Sequence, residues 1–310
     1  MISEDVKFFA GFIITYHRSH LILETLEKIL NQSFPPEKIL IVDNSNDSKT
    51  KKVIRNFNNP RLEYYKVGYN SGPAGGSKIG LEKLAAEGFK WIYWGDDNNP
   101  PRDLTVFKRM FECIYELEAQ NQKVGLFCGK GAKLNSITGR IQSLSNSELK
   151  EKEIVEVDVI AGGQTLMINS KLPKNDILPD PNLFFAFEDL DLSLKAKENG
   201  FKCFVDSKTW RNIRLSYSNV HTNYRPVGRN FGNSKELNRQ YYSTRNLLII
   251  FRERGYFLAC MFILFKSVLK IPVGFIKGWK YGAKNAELQS LAIFHFITHN
   301  FKNDLDVTME

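Results

Sequence analysis

The sequence predicts an α/β fold, a largely parallel sheet with helices on both faces, followed by a C-terminal helical region. Three observations lead there. From residue 8 to about residue 100, short apolar runs alternate with amphipathic stretches, the pattern of strand–helix–strand units. Runs such as Ile39–Val42 and Trp91–Trp94 read as buried strands. Four successive strand ends are polar, glycine-rich or acidic, and ligands of open α/β sheets bind at such carboxyl ends.

Taken in order, Phe8–Ile14 is the first strand, and His20–Gln32 follows as a helix with Ile22, Leu26, Ile29 and Leu30 on one face. Pro35-Pro36 separates it from the strand Ile39–Val42, which ends at Asp43. Asp47 or Ser48 caps a short helix reaching about Asn56. Leu62–Val67 is a strand, Lys78–Glu87 a helix, and Trp91–Trp94 a strand ending at Gly95-Asp96-Asp97. Beyond residue 100 the alternation loosens. Leu104–Gln120 is helical by period, Val124–Cys128 is a strand, and residues 130–155 read as a loop or solvent-facing ribbon. Val155–Ile160 and Thr165–Ile168 are expected strands. Glu188–Asn199 is a helix closed by Gly200, and Phe201–Val205 is the next strand.

Composition narrows the class. The chain has 310 residues, 43% hydrophobic and 25% charged, which excludes collagen-like, low-complexity and wholly disordered proteins. Its formal charge of +9 points to an anionic partner. Nucleic acid is not expected, since no basic–aromatic array or reading motif accompanies that charge. Cys113, Cys128, Cys203 and Cys260 lie far apart without CxxC spacing, so buried free thiols are expected. The acidic start, MISEDVKFF, is unlike a signal peptide. The expected location is cytoplasmic, peripheral on the cytosolic face of a membrane.

The strand ends carry Thr15-Tyr16-His17-Arg18, Asp43-Asn44-Ser45, Asn70 through Gly76, and Gly95 through Asn99. The glycine-rich segment is neither GxGxxG nor a P-loop. Its glycines would let backbone approach a nucleoside closely. Asp96, Asp97 and Asn98 offer hard oxygen ligands suited to Mg²⁺ or Mn²⁺ on a diphosphate, or an Asx turn before Pro100-Pro101. A second cluster, Glu188-Asp189-Leu190-Asp191, follows Phe184-Phe185-Ala186-Phe187. Apolar neighbours raise a carboxylate toward general-base range, although acids in a first helical turn also complement the helix dipole. His295 and His299 read as surface residues.

The ordered set resembles the family 2 glycosyltransferases of GT-A fold, especially the galactofuranosyl- and rhamnosyltransferase-like branch. The matching stretches are Gly11–Arg18, Ile39–Ser45, Asn70–Gly76, Trp94–Pro101, Phe187–Asp191 with Gly200-Phe201, Val220-His221 and Tyr241–Asn246. The resemblance implies a Rossmann-like mixed sheet over residues 1–250. It implies an inverting enzyme that moves a sugar from a UDP- or dTDP-sugar to a hydroxyl of a glycan or lipid-linked acceptor, in cell-surface polysaccharide or glycolipid synthesis. Carried over by position, Thr15, Tyr16, Arg18 and Asp43 surround the nucleoside, Asp43 accepting from the base. Asn70, Gly72, Ala74, Gly75 and Gly76 line ribose and diphosphate, with Asn98 and Arg245 also placed with the donor. Asp96 and Asp97 sit at the family's acidic metal motif for Mn²⁺ or Mg²⁺, and His221 matches a histidine completing the metal shell. Asp189 matches the catalytic base, with Glu188 beside it. Relatives usually show three acids where this chain has Gly95-Asp96-Asp97-Asn98; the missing acid is at Gly95 or at Asn98. Two other readings stay open: a sugar nucleotidyltransferase, and a non-catalytic subunit binding nucleotide sugar or lipid.

Residues 251–310 form a second, basic amphipathic region. Phe257–Phe265 is strongly apolar, and the uncharged run Gly255–Phe265 is too short to span a bilayer. Between Arg254 and Ala286 stand Arg254, Lys266, Lys270, Lys277, Lys280 and Lys284 without an acid. Such a segment suits an anionic membrane surface, or a core-packed helical pair with basic outer faces.

Overall fold

The computed structural model describes residues 7–217, 221–224, 232–301 and 305. They fall into two compact units. The first is Met1–Lys133, Ser143–Pro181 and Asp189–Arg225; the second is Leu134–Gln142, Asn182–Glu188 and Pro226–Glu310. The helix Leu237–Glu253 groups with the C-terminal helices in the second unit.

The strands are β1 (Phe9–Thr15), β2 (Lys38–Asp43), β3 (Leu62–Lys66), β4 (Trp91–Asp96), β5 (Val124–Cys128), β6 (Gly131–Asn135), β7 (Arg140–Ser143), β8 (Ile154–Val157), β9 (Val159–Ile160), β10 (Leu166–Asn169) and β11 (Lys202–Asp206). The helices are α1 (Ile22–Leu30), α2 (Lys49–Phe57), α3 (Gly72–Ala86), α4 (Val106–Ala119), α5 (Glu148–Glu151), α6 (Lys171–Lys174), α7 (Glu188–Glu198), α8 (Ser207–Leu215), α9 (Leu237–Glu253), α10 (Phe257–Gly274) and α11 (Trp279–Ile297).

Eight strands form one mixed sheet in the order β3-β2-β1-β4-β10-β5-β11-β8. β1 to β4 are parallel, while β10 runs antiparallel between β4 and β5. This is the mixed α/β sheet that the resemblance implied. Alternate residues of one strand enter opposite cores: Ala10 and Phe12 of β1 pack with Leu40, Ile92 and Leu81, whereas Phe9 and Ile13 pack with Ile41, Tyr93 and Phe107. A sheet covered on both faces buries every position, so its strands read as continuous apolar runs.

Two local expectations change. The helix expected from Lys78 begins earlier, since α3 starts at Gly72 within the glycine-rich segment. Added Cβ atoms would meet Ile14 at 2.9 Å from Gly76 and the Phe12 ring at 2.4 Å from Gly80. These glycines therefore seat α3 directly on β1. The run Val155–Ile160 breaks at Asp158 into β8, which pairs with β11, and β9, which pairs with β6 in a separate small sheet. All four cysteines are buried and free.

In the second unit, Phe184, Leu237, Tyr241, Tyr242, Tyr281, Leu288 and Ala292 form the core. His295 is buried there rather than on the surface, because its Nδ1 lies 2.6 Å from the Tyr241 hydroxyl. An imidazole so paired is sheltered at little cost.

Candidate active site

Register brings the strand ends level: Thr15 pairs with Asp43 across β1 and β2, and Ile14 pairs with Asp96 across β1 and β4. The polar residues that close these strands therefore meet at one edge of the sheet.

Asp97 lies at the centre of this edge. Its carboxylate accepts from the Thr15 hydroxyl at 2.9 Å and from Arg18 Nη1 at 3.2 Å, and its carbonyl accepts from the Thr25 hydroxyl at 2.8 Å. Burial raises its pKa, opposed by the Thr15 and Arg18 contacts. Thr15 and Arg18, expected beside a nucleoside, are committed to this carboxylate. Asp97, expected as a metal ligand, is turned toward them.

Asp43 is fully buried. One oxygen accepts from the Ser45 amide at 2.9 Å and the other from the Tyr64 hydroxyl at 2.8 Å. Burial and this carboxylate push the Tyr64 phenol up. Contrary to expectation, Asp43 has no face open to a base. It orders the turn carrying Asn44, whose side chain accepts from the Ser71 hydroxyl at 2.8 Å and donates to the Gly72 carbonyl at 3.1 Å. Asn70 accepts from the Gly72 amide at 3.0 Å and is itself exposed. Gly72, Ala74, Gly75 and Gly76 are all buried in α3, so the backbone around Asn70 is the part of this segment facing outward. Tyr16 is half-buried, its ring 4.5 Å from that of His17.

Asp96 and Asp189 adjoin two consecutive glycines. The Asp96 amide donates to the Gly163 carbonyl at 2.6 Å, and a Cβ on Gly163 would lie 2.1 Å from Asp96 Oδ2. Asp189 accepts from the Gly162 amide at 2.9 Å and from its neighbour Leu190 at 2.8 Å. Burial, then the charges of Asp97 and Asp189, raise Asp96 to about 6 against the pull of Lys130 and Arg18. Burial also raises Asp189, opposed by its backbone donors. Beside them, Gln164 donates to Asn99 Oδ1 at 2.9 Å and to the Pro100 carbonyl at 3.1 Å. Its buried Oε1 has no hydrogen-bond partner among the described residues, and the residue lines a cavity of about 130 Å³ with Arg102, Thr165 and Ser216. Gly162, Gly163 and Gln164 were missed in the sequence because Ala-Gly-Gly-Gln reads as an ordinary turn. Thr25 was missed because it lies within an amphipathic helix.

The expected metal trio is not assembled. Among the described residues no group of three or more His, Cys, Asp or Glu could hold a metal ion. His221 is exposed, and its carbonyl accepts from Asn146 at 2.6 Å. Residues 218–220 of the same motif lie outside the described residues. What remains is Asp96, whose carboxylate receives no hydrogen bond from a described residue, and the exposed Asn98. Magnesium and manganese commonly take one or two protein oxygens and fill the rest with water and substrate phosphate, so this smaller donor set still fits such an ion.

In the second unit, Arg245 is fully buried. It donates to the Leu183 carbonyl at 3.0 Å, while Asn246 Nδ2 reaches the Leu183, Phe185 and Ala186 carbonyls at 2.8–3.0 Å. Phe184, Ala186 and Phe187 all have positive φ, a backbone state costly for residues with a side chain. Arg245 and Asn246 thus hold the strained segment that leads into Glu188, which is half-buried at the start of α7.

The glycosyl transferase family 2 model matches residues 12–114, a stretch that begins within β1 and ends within α4. Over 103 residues the chain is 29% identical to galactofuranosyltransferase GlfT1 of Mycolicibacterium smegmatis, which is 33% of this chain and 34% of that protein. The match thus spans about a third of that relative's length. Solved structures with a similar outline include S. aureus TarS 1–349 in complex with UDP-GlcNAc, at 16% identity and TM-score 0.48, covering 94% of this chain and 92% of that one. Another is the mannosyltransferase PcManGT from Pyrobaculum calidifontis in complex with GDP-Man and Mn²⁺, at 12% identity and TM-score 0.46, covering 96% and 88%. Likeness at these scores adds nothing to the chemistry of the residues themselves.

Proposed function

We propose, from the match to the glycosyl transferase family 2 model at residues 12–114, that this chain is an inverting glycosyltransferase. It would transfer a sugar from a nucleoside-diphosphate donor, a UDP- or dTDP-sugar, to a hydroxyl of a glycan or lipid-linked acceptor. The observation that carries this reading is the pair of carboxylates on one glycine turn, Asp96 at Gly163 and Asp189 at Gly162.

Breaking the bond to the anomeric carbon leaves negative charge on a diphosphate. Arg18 and Lys130, the cations facing Asp96, supply positive potential near that charge. A divalent cation, when bound by Asp96 and Asn98, would add Lewis-acid stabilisation of the leaving group. Asp189 takes the proton from the acceptor hydroxyl. Its raised pKa makes it a stronger base than an exposed aspartate. Attack opposite the leaving group in one displacement inverts the anomeric centre.

A Cβ at position 95 would meet the Tyr93 hydroxyl and ring carbons at 2.6–2.8 Å, which supports Asn98 over Gly95 as the departure from three acids. The neutral Asn98 favours one second reading, a chain that binds nucleotide sugar without turning it over. The deciding experiment is release of nucleoside diphosphate from a panel of UDP- and dTDP-sugars with glycan and lipid-linked acceptors, with Mn²⁺ or Mg²⁺. Release with inverted product supports transfer. Tight donor binding without release for any acceptor sinks it.

A further inference from the structure

Helix α10 is amphipathic in the reverse sense to a soluble protein's helix. The residues it buries are small: Ala259, Cys260, Ser267 and Gly274. Those it exposes are large and apolar: Phe257, Leu258, Met261, Phe262, Phe265, Val268, Leu269 and Val273. The small side packs on α9 and α11 within the second unit. Packing there is close enough that a Cβ on Gly274 would lie 2.5 Å from Asn285 Nδ2. The apolar face continues past the helix through Ile276, 79% exposed, to Trp279, 80% exposed. A contiguous patch of this kind marks a surface that meets something apolar.

Charge decides what that is. No acid occurs between Arg254 and Ala286, and Lys266, Lys277 and Lys280 are exposed along the same stretch. A second copy docking by the same face would set lysines against lysines. An anionic lipid surface takes both features at once, apolar side chains into the acyl boundary and ammonium groups onto phosphates.

We infer that the α10 face, with Ile276 and Trp279, is a membrane-docking surface. It lies in the plane of an anionic leaflet. By length and composition alone, Phe257–Lys277 could also cross a bilayer, with 21 residues and a mean hydropathy of 1.9 over its most apolar 18. Two features favour lying over crossing. Lys266 and Lys270 stand near the middle of the segment, where charge is costly in hydrocarbon. The small-residue side is already packed against α9 and α11. An in-plane helix leaves that packing intact. The inference is independent of the transfer reaction.

The test is flotation of the full chain with vesicles of phosphatidylcholine, alone or mixed with phosphatidylglycerol. The expected result is flotation with the anionic vesicles that weakens with salt and is released by alkaline carbonate. Met261→Glu with Phe265→Glu changes two side chains that are 67% and 63% exposed. It should keep the wild-type thermal melt and lower the bound fraction about tenfold or more. Lys277→Ala with Lys280→Ala should weaken binding to anionic vesicles and leave the residual binding to neutral ones unchanged. No flotation on anionic vesicles overturns the inference, as does equal binding by the double glutamate variant. Self-association lost in that variant, without vesicle binding, assigns the face to a second copy. Resistance to carbonate with the C-terminal tail protected from protease assigns a span. Either result also overturns the in-plane reading.

Discussion

Asp96 and Asp189 belong to segments far apart in sequence, yet each meets one of two adjacent glycines. Gly162 donates its amide to Asp189 at 2.9 Å, and Gly163 leaves the space occupied by Asp96 Oδ2, 2.1 Å from where a Cβ would stand. The turn is thus a spacer of fixed thickness for two carboxylates.

Gly163→Ala tests that spacing. The new methyl collides with Asp96, and φ of +100° is unfavourable for alanine. Gly88→Ala is the control, with φ of +93° and nothing within 4 Å. Both should lose about 1–2 kcal/mol of stability in a thermal or urea melt. Only Gly163→Ala should also lose at least about tenfold in sugar transfer, because ~1.4 kcal/mol of transition-state misplacement suffices for that. Equal activity in the two variants would contradict the role given to the turn.

Asp96 carries a pH signature. Its folded pKa, raised to about 6 from 3.8, means the folded state holds this proton more tightly than the unfolded state does. The contribution to stability is fully present below about pH 4 and is lost as pH rises through 6. Asp96→Asn should therefore be more stable than wild type at pH 8, by up to about 3 kcal/mol. The difference should shrink toward pH 4. Transfer activity should be lost in the same variant. A variant less stable than wild type at pH 8 would show that the carboxylate is satisfied as an anion.

Asp189→Asn should lower kcat by about 10²–10⁴-fold with donor affinity little changed, since general-base assistance contributes in that range. Steady-state kinetics with isothermal titration of the donor reads both numbers. Wild-type turnover in this variant would remove Asp189 from the base role.

Positions 95 and 98 separate by packing. Asn98→Asp adds charge at an exposed position and should lower the Mn²⁺ concentration for half-maximal activity severalfold. Gly95→Asp drives a side chain into the Tyr93 ring and should destabilise by about 1–3 kcal/mol or prevent folding. Tighter metal use by a folded Gly95→Asp variant would reverse the register.

Asn246→Ala removes one amide group from three carbonyls of a segment with three left-handed residues. Buried carbonyls left without donors should cost about 2–4 kcal/mol, visible in chemical denaturation. A loss below about 0.5 kcal/mol would mean the segment keeps its form without the clamp.

The strand–helix alternation was legible because a two-layered core forces apolar runs on strands and apolar stripes on helices. Asp96 and Asp189 were legible as candidates because acids after apolar strands or aromatics are conspicuous. Their partners were not. The hydroxyl of Thr25 and the amide of Gly162 become functional only through contacts made across 72 and 27 residues. The glycines before Lys78 looked like a ligand loop, but helix and loop use of glycine differ only in what packs against it.

Sequence alone determined the α/β class, the order of the polar strand ends and the basic, acid-free apolar stretch, since these depend on local pattern and composition. Tertiary structure decided which carboxylates remain open. Asp43 and Asp97 close on Tyr64, Ser45, Thr15 and Arg18, Arg245 closes on the Leu183 carbonyl, and Asp96 is left for chemistry. A carboxylate's role depends on which donors reach it and how deeply it is buried, and both are set by residues distant along the chain.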